Sequence, residues 1–480
     1  MPPTVSEPPT ASTESREAPS LRAAEIAAIT DGRLLREGHR RVRGAAVDSR
    51  RVRPGQLFVA LAGERDDGHA HLAAAAAAGA AALLVTRSPA AGEIERLGDV
   101  TVVRVVDGLA ALQALAADWR TRFRPLVVGV TGSVAKSSTK EAIAATLAAR
   151  RQVLRSEANE NNEIGLPLTV LRLEPGHEVA VLEMGMYVPG EIAQLCRIAR
   201  PAIGVVTAVR PIHLSRAGSL EAIEAGKAEL VEALPPDGVA VLNADDERVR
   251  RMGGRTRSRT VTYGFDPGAD VTAEAIVPRG AAGMGFVLCA AGERRPVEIP
   301  ALGRHAVHNA LAAAAVALEA GLTLDETVEG LARPWSLPHR STLVHAGGIT
   351  ILDDCYNAGP DSMRAALELL AELPGRRRVA VLGEMAELGS LAAEAHAAVG
   401  RWAADVVELL VTVGAGAEPL AAGALAAGFD PARLVRVADA ASALAALRPC
   451  LADGDVVLVK ASRAAALERV VGGLVEAFGR

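Results

Sequence analysis

From about residue 21 the chain alternates short apolar runs with alanine-rich stretches of helical period. Between residues 21 and 124, strands are predicted at 56–61, 81–86 and 100–106, separated by helical segments, the alternation of an α/β unit. Residues 111–125 read as a closing helix with Trp119 and Phe123 spaced i, i+4 on its core face. At Leu126 the pattern changes to near-continuous apolar runs: LVVGV, EVAVLEM, AIGVVTAV and GVAVLNA. Each is followed by a polar loop and helical periodicity, as in a parallel sheet buried on both faces. A turn-rich stretch with alternating β segments covers 259–300, and an alanine-rich helix covers 307–320. A third unit begins near Leu337 with ITILDD, RVAVLGE, LLVTVGA, LVRVAD and DVVLVK. The pattern predicts the α/β fold class in three domains, 21–124, 125–336 and 337–480, behind a disordered lead at 1–20.

Length agrees, since 480 residues suffice for three cores at roughly 150 residues per domain. The balance of 52 basic and 57 acidic residues, net −5, argues against a nucleic-acid partner. Cys196, Cys289, Cys355 and Cys450 lie far apart with no C-x-x-C pair, so neither a disulfide framework nor a zinc site is expected. The longest apolar stretch, around 72–85, is too short for a membrane span of about 20 residues. The lead has neither the basic nor the apolar region of a secretion signal. A cytoplasmic protein without stable membrane insertion is expected, and a monomer. One count is more telling: only four of the 52 basic residues are lysines, Lys136, Lys140, Lys227 and Lys460. In a composition that favours arginine, a surviving lysine marks a place that needs an ammonium or a titratable amine.

The LVVGV strand runs into Thr131-Gly132-Ser133-Val134-Ala135-Lys136-Ser137-Ser138 and then a helix. Strand, glycine turn, Lys-Ser and helix make a phosphate-binding loop, in which backbone N–H groups and the helix N-terminus face phosphates. Lys136 is placed to reach the terminal phosphates and Ser137 to hold Mg²⁺. The usual pattern is not met, since Val130 and Ala135 stand where glycines belong. Glu183 ends EVAVLEM at the carboxyl edge of the sheet, where ligands collect, and is a candidate Mg²⁺ ligand. His213 follows AIGVVTAV at the same edge, and Lys227 lies in an amphipathic helix among Glu224, Glu229 and Glu232.

These segments resemble the Mur ligases. TGSVAKSSTKE, ENNEIGLPLT, EMGMYVPGEIAQLCRIARP, IHLSRAGSLEAIEAGKAEL, VLNADDERV, GRHAVHNALAAAAVA, DDCYNAGPDSM, VAVLGEMAELG and VLVKASR occur in that family's order, and DSRRVRPGQLFVALAGERDDGH is similar to its UDP-binding domain. The resemblance covers about 44–475 and is most specific for the branch that adds D-alanyl-D-alanine. It implies an N-terminal UDP-binding domain, a central P-loop ATPase-like parallel-sheet domain and a C-terminal Rossmann-like domain. The implied activity is ATP-dependent joining of UDP-N-acetylmuramoyl-tripeptide to D-alanyl-D-alanine through an acyl phosphate, in peptidoglycan precursor synthesis.

By motif, Lys136 would grip the β- and γ-phosphates, with Ser137 and Glu183 on a first Mg²⁺. His213 and a carbamylated Lys227 would serve a second. Asn309 would lie by adenine, Arg340 by the γ-phosphate and Asp354 by the ribose. Ser49 and Arg50 would face UDP, Asn162 and Thr169 the acceptor path, and Lys460 the incoming dipeptide or its product. A carbamate gives Mg²⁺ the oxygen ligand it prefers, and arginine cannot form one. The chain departs from the family at Ala135, Ala208, Arg210, Ala306, Gly359 and Ala461. Ala135 is expected at negative φ, where alanine costs little. Another amino-acid-adding Mur ligase, a kinase that leaves phosphate on its product and a non-catalytic nucleotide-binding scaffold are the alternatives.

Overall fold

A computed structural model describes residues 19–63, 66–211, 216, 218–335 and 337–479. Most of the disordered lead expected at 1–20, and His213, lie outside the described residues. Two compact units are present: residues up to Phe123 with Leu171–Gly176, and Arg124–Val170 with His177 onward.

The first unit holds a five-stranded sheet of β1 (Arg33–Arg36), β2 (Ala45–Ala46), β3 (Leu57–Val59), β4 (Ala82–Val85) and β5 (Thr101–Arg104), in the order β1-β5-β4-β3-β2. β2 to β5 are parallel, and β1 joins antiparallel at the edge. Phe58, Leu83, Leu84 and Val85 are wholly buried, as expected of strands covered on both faces. The Gly108–Thr121 helix starts at Asp107, whose carboxylate accepts from the Leu109 and Ala110 N–H groups. Trp119 and Phe123 pack as core residues, with ring centroids 5.4 Å apart.

The second unit holds two sheets. In the first, β6 (Leu126–Thr131), β7 (Val153–Arg155), β8 (Val179–Glu183), β9 (Ile203–Val206), β10 (Val239–Asn243) and β11 (Arg259–Gly264) are parallel, ordered β11-β10-β9-β6-β8-β7. β12 (Val271–Pro278), β13 (Met284–Ala290) and β14 (Glu293–Ile299) extend this sheet from β11, closing it with antiparallel pairs. The central strands are almost wholly buried because helices cover both faces. On one face the Lys136–Leu147 helix packs with Arg304–Glu319 around Ile143, Leu147, Ala310 and Ala314, where alanines let the helix axes approach closely. Each buried leucine or isoleucine contributes about 1.5–3 kcal/mol.

The second sheet has the order β15-β16-β20-β17-β18-β19, built from β15 (Thr342–Ala346), β16 (Ile349–Asp353), β17 (Arg377–Gly383), β18 (Leu409–Val413), β19 (Leu434–Val437) and β20 (Asp455–Lys460). All pairs are parallel except β15–β16. The α/β fold class read from the sequence holds, and edge strands β1, β2, β7 and β15 are additions to it. Among the described residues no helix is long and apolar enough to cross a membrane.

Candidate active site

The carboxyl ends of β6 and β8 and the turns after β16 and β20 supply the side chains of one cavity of about 860 Å³. Lys136, Ser137, Ser138, Glu183, Asn309, Arg340, Asp354 and Lys460 all line it, with Ser133, Val134 and Ala135 of the loop. Residues more than 300 positions apart in the chain thus share one wall-to-wall space, as expected at strand ends of open α/β sheets.

The loop is built tightly. Thr131, at the buried end of β6, donates its hydroxyl to the Met184 carbonyl at 2.8 Å. Gly132 has φ 148°, and a Cβ there would collide with Thr207, so only glycine fits. The Thr207 hydroxyl donates to the Val134 carbonyl at 2.6 Å and the Ser133 N–H to the Ala208 carbonyl at 2.7 Å, which ties the loop to the end of β9. Among the described residues no side chain caps the start of the Lys136–Leu147 helix, which leaves its first-turn N–H groups open to an anion. Lys136 Nζ folds back onto the Gly132 carbonyl at 2.8 Å. Burial pushes the Lys136 ammonium below the usual lysine range; Glu183 opposes that shift and Arg340 adds to it.

The expected negative φ at Ala135 is wrong. Ala135 has φ 65°, the left-handed conformation, because the chain must reverse between the loop and the helix at this residue. The strain is about 1 kcal/mol relative to glycine, too little to dismantle a loop held by the contacts above. The other departures are unstrained: Gly359 has φ −154°, and Ala208, Ala306 and Ala461 are absent from the positive-φ positions.

Glu183 is buried, and Asn161 Nδ2 donates to its Oε1 at 2.8 Å. Its Oε2 is buried and has no hydrogen-bond partner among the described residues. An orphaned carboxylate oxygen near Ser137 fits a hard cation, which would complete its coordination. Lys140, fully buried, sets this carboxylate indirectly: its Nζ donates to the Ser156 carbonyl at 2.6 Å, and the Ser156 hydroxyl accepts the Glu183 N–H at 3.1 Å. Glu141, 2.9 Å away, balances the Lys140 charge and pairs in turn with Arg155.

Lys227 is buried at 4% exposure, so it does not belong to a solvated helix face. Its expected setting among three glutamates is also wrong. Glu224 turns to Arg248, Glu229 accepts from the Gly190 and Ala193 N–H groups, and Glu232 pairs with Arg255. Burial, and then the Lys136 charge, hold the Lys227 amine well below the usual lysine range.

Arg340 stacks over the Tyr356 ring at 4.1 Å and donates to Ser137 Oγ at 3.3 Å. Asn309 is buried, and its side-chain oxygen accepts from the Thr139 hydroxyl at 3.0 Å. Asp354 and Lys460 pair with each other, Nζ to Oδ2 at 2.6 Å, and Lys460 also donates to the Asn357 carbonyl at 2.9 Å. Arg210 donates to Asp361 at 2.7 Å and pairs with the buried Asp246, while its N–H donates to Ser133 Oγ.

Not every expected residue enters this cavity. Asn162 accepts the Gly165 N–H at the start of the Gly165–Val170 helix, and the buried Thr169 hydroxyl donates to Glu160 at 3.0 Å. Ser49 and Arg50 lie in the first unit, on a turn capped by Asp48. There Arg50 holds the Asp48 carboxyl down to about 2 and is itself exposed. Sequence reasoning missed Asn161, Ser156, Thr207 and Tyr356; for Lys140 the scarcity of lysine was the available signal.

A parallel sheet with this loop, an orphaned carboxylate and converging cations defines a nucleotide-dependent phosphoryl-transfer enzyme. The chain belongs to the Mur ligase family. The "Mur ligase family, catalytic domain" matches residues 41–120, the "Mur ligase middle domain" 130–317, and the "Mur ligase, glutamate ligase domain" 339–463. It is 41% identical to the UDP-N-acetylmuramoyl-tripeptide–D-alanyl-D-alanine ligase of Mycobacterium tuberculosis H37Rv, covering 95% of this chain and 98% of that protein. The ligase of the same name from Escherichia coli K12 is 37% identical, over 89% of this chain and 93% of that one. MurF from Acinetobacter baumannii superposes with a TM-score of 0.85 at 28% identity, covering 95% and 99% of the two chains. MurF ligase from Thermotoga maritima in complex with ADP superposes at 0.78 and 29% identity, covering 91% and 98%.

Proposed function

We infer that this chain is an ATP-dependent ligase that adds D-alanyl-D-alanine to UDP-N-acetylmuramoyl-tripeptide, releasing ADP and phosphate, in the cytoplasmic stage of peptidoglycan precursor synthesis. The observation that carries this reading is the convergence of Lys136, Ser137, Glu183, Asn309, Arg340 and Asp354 on one cavity in a chain that matches such ligases nearly end to end. The three domains take the bounds 21–124, 125–336 and 337–480, and the chain acts as a monomer.

Phosphoryl transfer needs positioning and charge neutralisation more than covalent participation by the protein. Lys136 leaves the Gly132 carbonyl for the β- and γ-phosphates, and the free N–H groups of the helix start receive phosphate oxygens. Arg340, steadied by Tyr356, meets the γ-phosphate as it moves to the tripeptide carboxylate. Asn309 lies by the adenine and Asp354 by the ribose. Ser137 and Glu183 hold one Mg²⁺; His213 and Lys227, carbamylated, hold a second. Magnesium, when bound, neutralises charge on the phosphoryl oxygens. Burial, which holds the Lys227 amine well below the usual lysine range, favours the neutral form that reacts with CO₂. Ser49 and Arg50 bind the UDP moiety, Asn162 and Thr169 shape the acceptor path, and Lys460 faces the dipeptide.

Phosphate release tests this reading. It is expected to be slow with ATP alone and fast only with both UDP-N-acetylmuramoyl-tripeptide and D-alanyl-D-alanine. Equal turnover with free D-alanine would assign another amide-forming branch. Phosphate retained on the product would assign a kinase, and no turnover a scaffold.

A further inference from the structure

A second group of ligand-type side chains lies beside the cavity. His339, Asp353 and Cys355 each bring one donor atom within 4.8 Å of the other two. Asp353 is the hub: its Oδ2 lies 2.7 Å from His339 Nδ1 and its Oδ1 3.0 Å from Cys355 Sγ. Sγ and Nδ1 are 3.7 Å apart. Asp353 and Cys355 are buried, and the His339 side chain is 35% exposed, which leaves one approach from solvent. His339 reaches this place with φ 61°, a backbone conformation that disfavours histidine by about 1 kcal/mol relative to glycine.

Thiolate, imidazole and carboxylate are the three ligand types that zinc takes, at about 2.3 Å to sulfur and about 2.0–2.2 Å to nitrogen or oxygen. Tetrahedral bonds of those lengths put donors about 3.3–3.6 Å apart. The His339–Cys355 separation is close to that range, and the two Asp353 oxygens, one toward each partner, lie a little inside it, so one cation can take the place of the two protons now aimed at Asp353. We propose that His339, Asp353 and Cys355 form a binding site for a thiophilic divalent cation of the zinc class, with its fourth position open to solvent.

On binding, the Cys355 sulfur gives up its proton to solvent and bonds to the cation as thiolate. The His339 proton moves to Nε2, freeing the Nδ1 lone pair, and Asp353 is already an anion. One proton is released per ion. Burial and the Asp353 carboxylate push the Cys355 thiol up, so the proton stays until a thiophilic ion displaces it. Soft thiolate ligation excludes Mg²⁺, which prefers oxygen donors. The ion would tie the segment before Arg340 to the strand end that carries Asp354. Spacing rules that look for paired cysteines overlook such a site, because its ligands come from two segments and include a single cysteine.

Cobalt supplies the test. The full chain, stripped with chelator and carrying Cys450→Ser to remove the exposed thiol, is titrated with Co²⁺ in excess Mg²⁺. One ion per chain, a thiolate-to-cobalt charge-transfer band and one proton released are expected. Zn²⁺, measured against a chromophoric chelator, is expected to bind at least tenfold more weakly to Cys355→Ser and to His339→Asn. Asparagine tolerates the left-handed backbone, so His339→Asn decides the matter if Cys355→Ser does not fold. Absence of the band at one equivalent, or equal zinc affinity in the variants, would overturn the site. Both readouts are independent of turnover, so they stand apart from the ligase reading.

Discussion

Restoring glycine at position 135 probes whether the phosphate loop is already in its working shape before nucleotide arrives. Ala135 sits at φ 65° at the start of the Lys136–Leu147 helix. Removing its Cβ relieves roughly 1–2 kcal/mol of left-handed strain. Glycine also gains freedom in the unfolded chain, which takes back about 0.4–1 kcal/mol. The net gain in stability for Ala135→Gly is therefore between about zero and 1.6 kcal/mol, a rise in melting temperature of no more than about 6 °C. Nucleotide affinity should respond still less. If the free loop already holds the left-handed residue, the strain is present with and without nucleotide and cancels from the binding constant. Calorimetric titration with a non-hydrolysable ATP analogue is expected to change by less than about tenfold, equivalent to about 1.4 kcal/mol. A larger gain in affinity would mean that the loop takes up its strain only on binding, and the geometry of the free loop would not be that of the complex.

Three further substitutions test the contacts around this loop. Lys140→Met removes the ammonium that holds the Ser156 carbonyl, which should destabilise the protein by about 3 kcal/mol in urea unfolding. It should also raise the Mg²⁺ concentration for half-maximal turnover, and an unchanged Mg²⁺ requirement would mean that Lys140 serves the fold alone. Lys227→Arg keeps a cationic side chain of similar length that cannot form a carbamate, so turnover should fall on the order of 100-fold while ATP still binds through Lys136. Wild-type activity should fall in CO₂-depleted buffer and return with bicarbonate; near-normal turnover of Lys227→Arg would remove the carbamate. Arg210→Gly deletes the pairs to Asp246 and Asp361 and should cost roughly 1.5–3 kcal/mol, read as a lower urea midpoint.

What the sequence made legible was whatever is local. β6, β8, β9 and β10 of the central sheet are continuous apolar runs, and Lys136, Ser137 and Glu183 sit at the ends of such runs, so their meeting at one edge follows from topology alone. Edge strands are shorter and more polar. β15 was readable all the same, since Gly347-Gly348 between TLVHA and ITILD is a two-residue hairpin signal. The misplaced surroundings of Lys227 have a geometric cause. At about 100° per residue, Glu229 lies roughly 200° around the helix from Lys227 and faces the other way. Glu224 is near in angle but is drawn to Arg248, a partner 24 positions away. The sign of φ at Ala135 was illegible because a loop pattern records which residues occur, not how the chain turns through them. The supports of Glu183 from Ser156 and Asn161 are likewise contacts between segments more than 20 residues apart.

Part of the strained backbone of this protein lies where its chemistry is. Ten described residues other than glycine have positive φ, and Ala135, Ser341 and Glu387 among them line the cavity, with His339 two positions from Ser341. Each such conformation is disfavoured by about 1–3 kcal/mol and persists only where neighbouring contacts over-determine it. His339 is held by Asp353, and Ser341 by its N–H to Asp354 Oδ1 at 3.0 Å and by its hydroxyl beside His305. Arg340 lies between these two fixed residues, so its backbone has little freedom, and Tyr356 and Ser137 fix the guanidinium at the other end. On the proposed role of Arg340, a cation set in advance need not lose conformational entropy when the γ-phosphate arrives, and charge stabilisation is most effective from groups that do not reorganise during the reaction. The strain at 339 and 341 is therefore best understood as part of what aims Arg340, with its energetic cost offset by Asp353, Asp354 and His305.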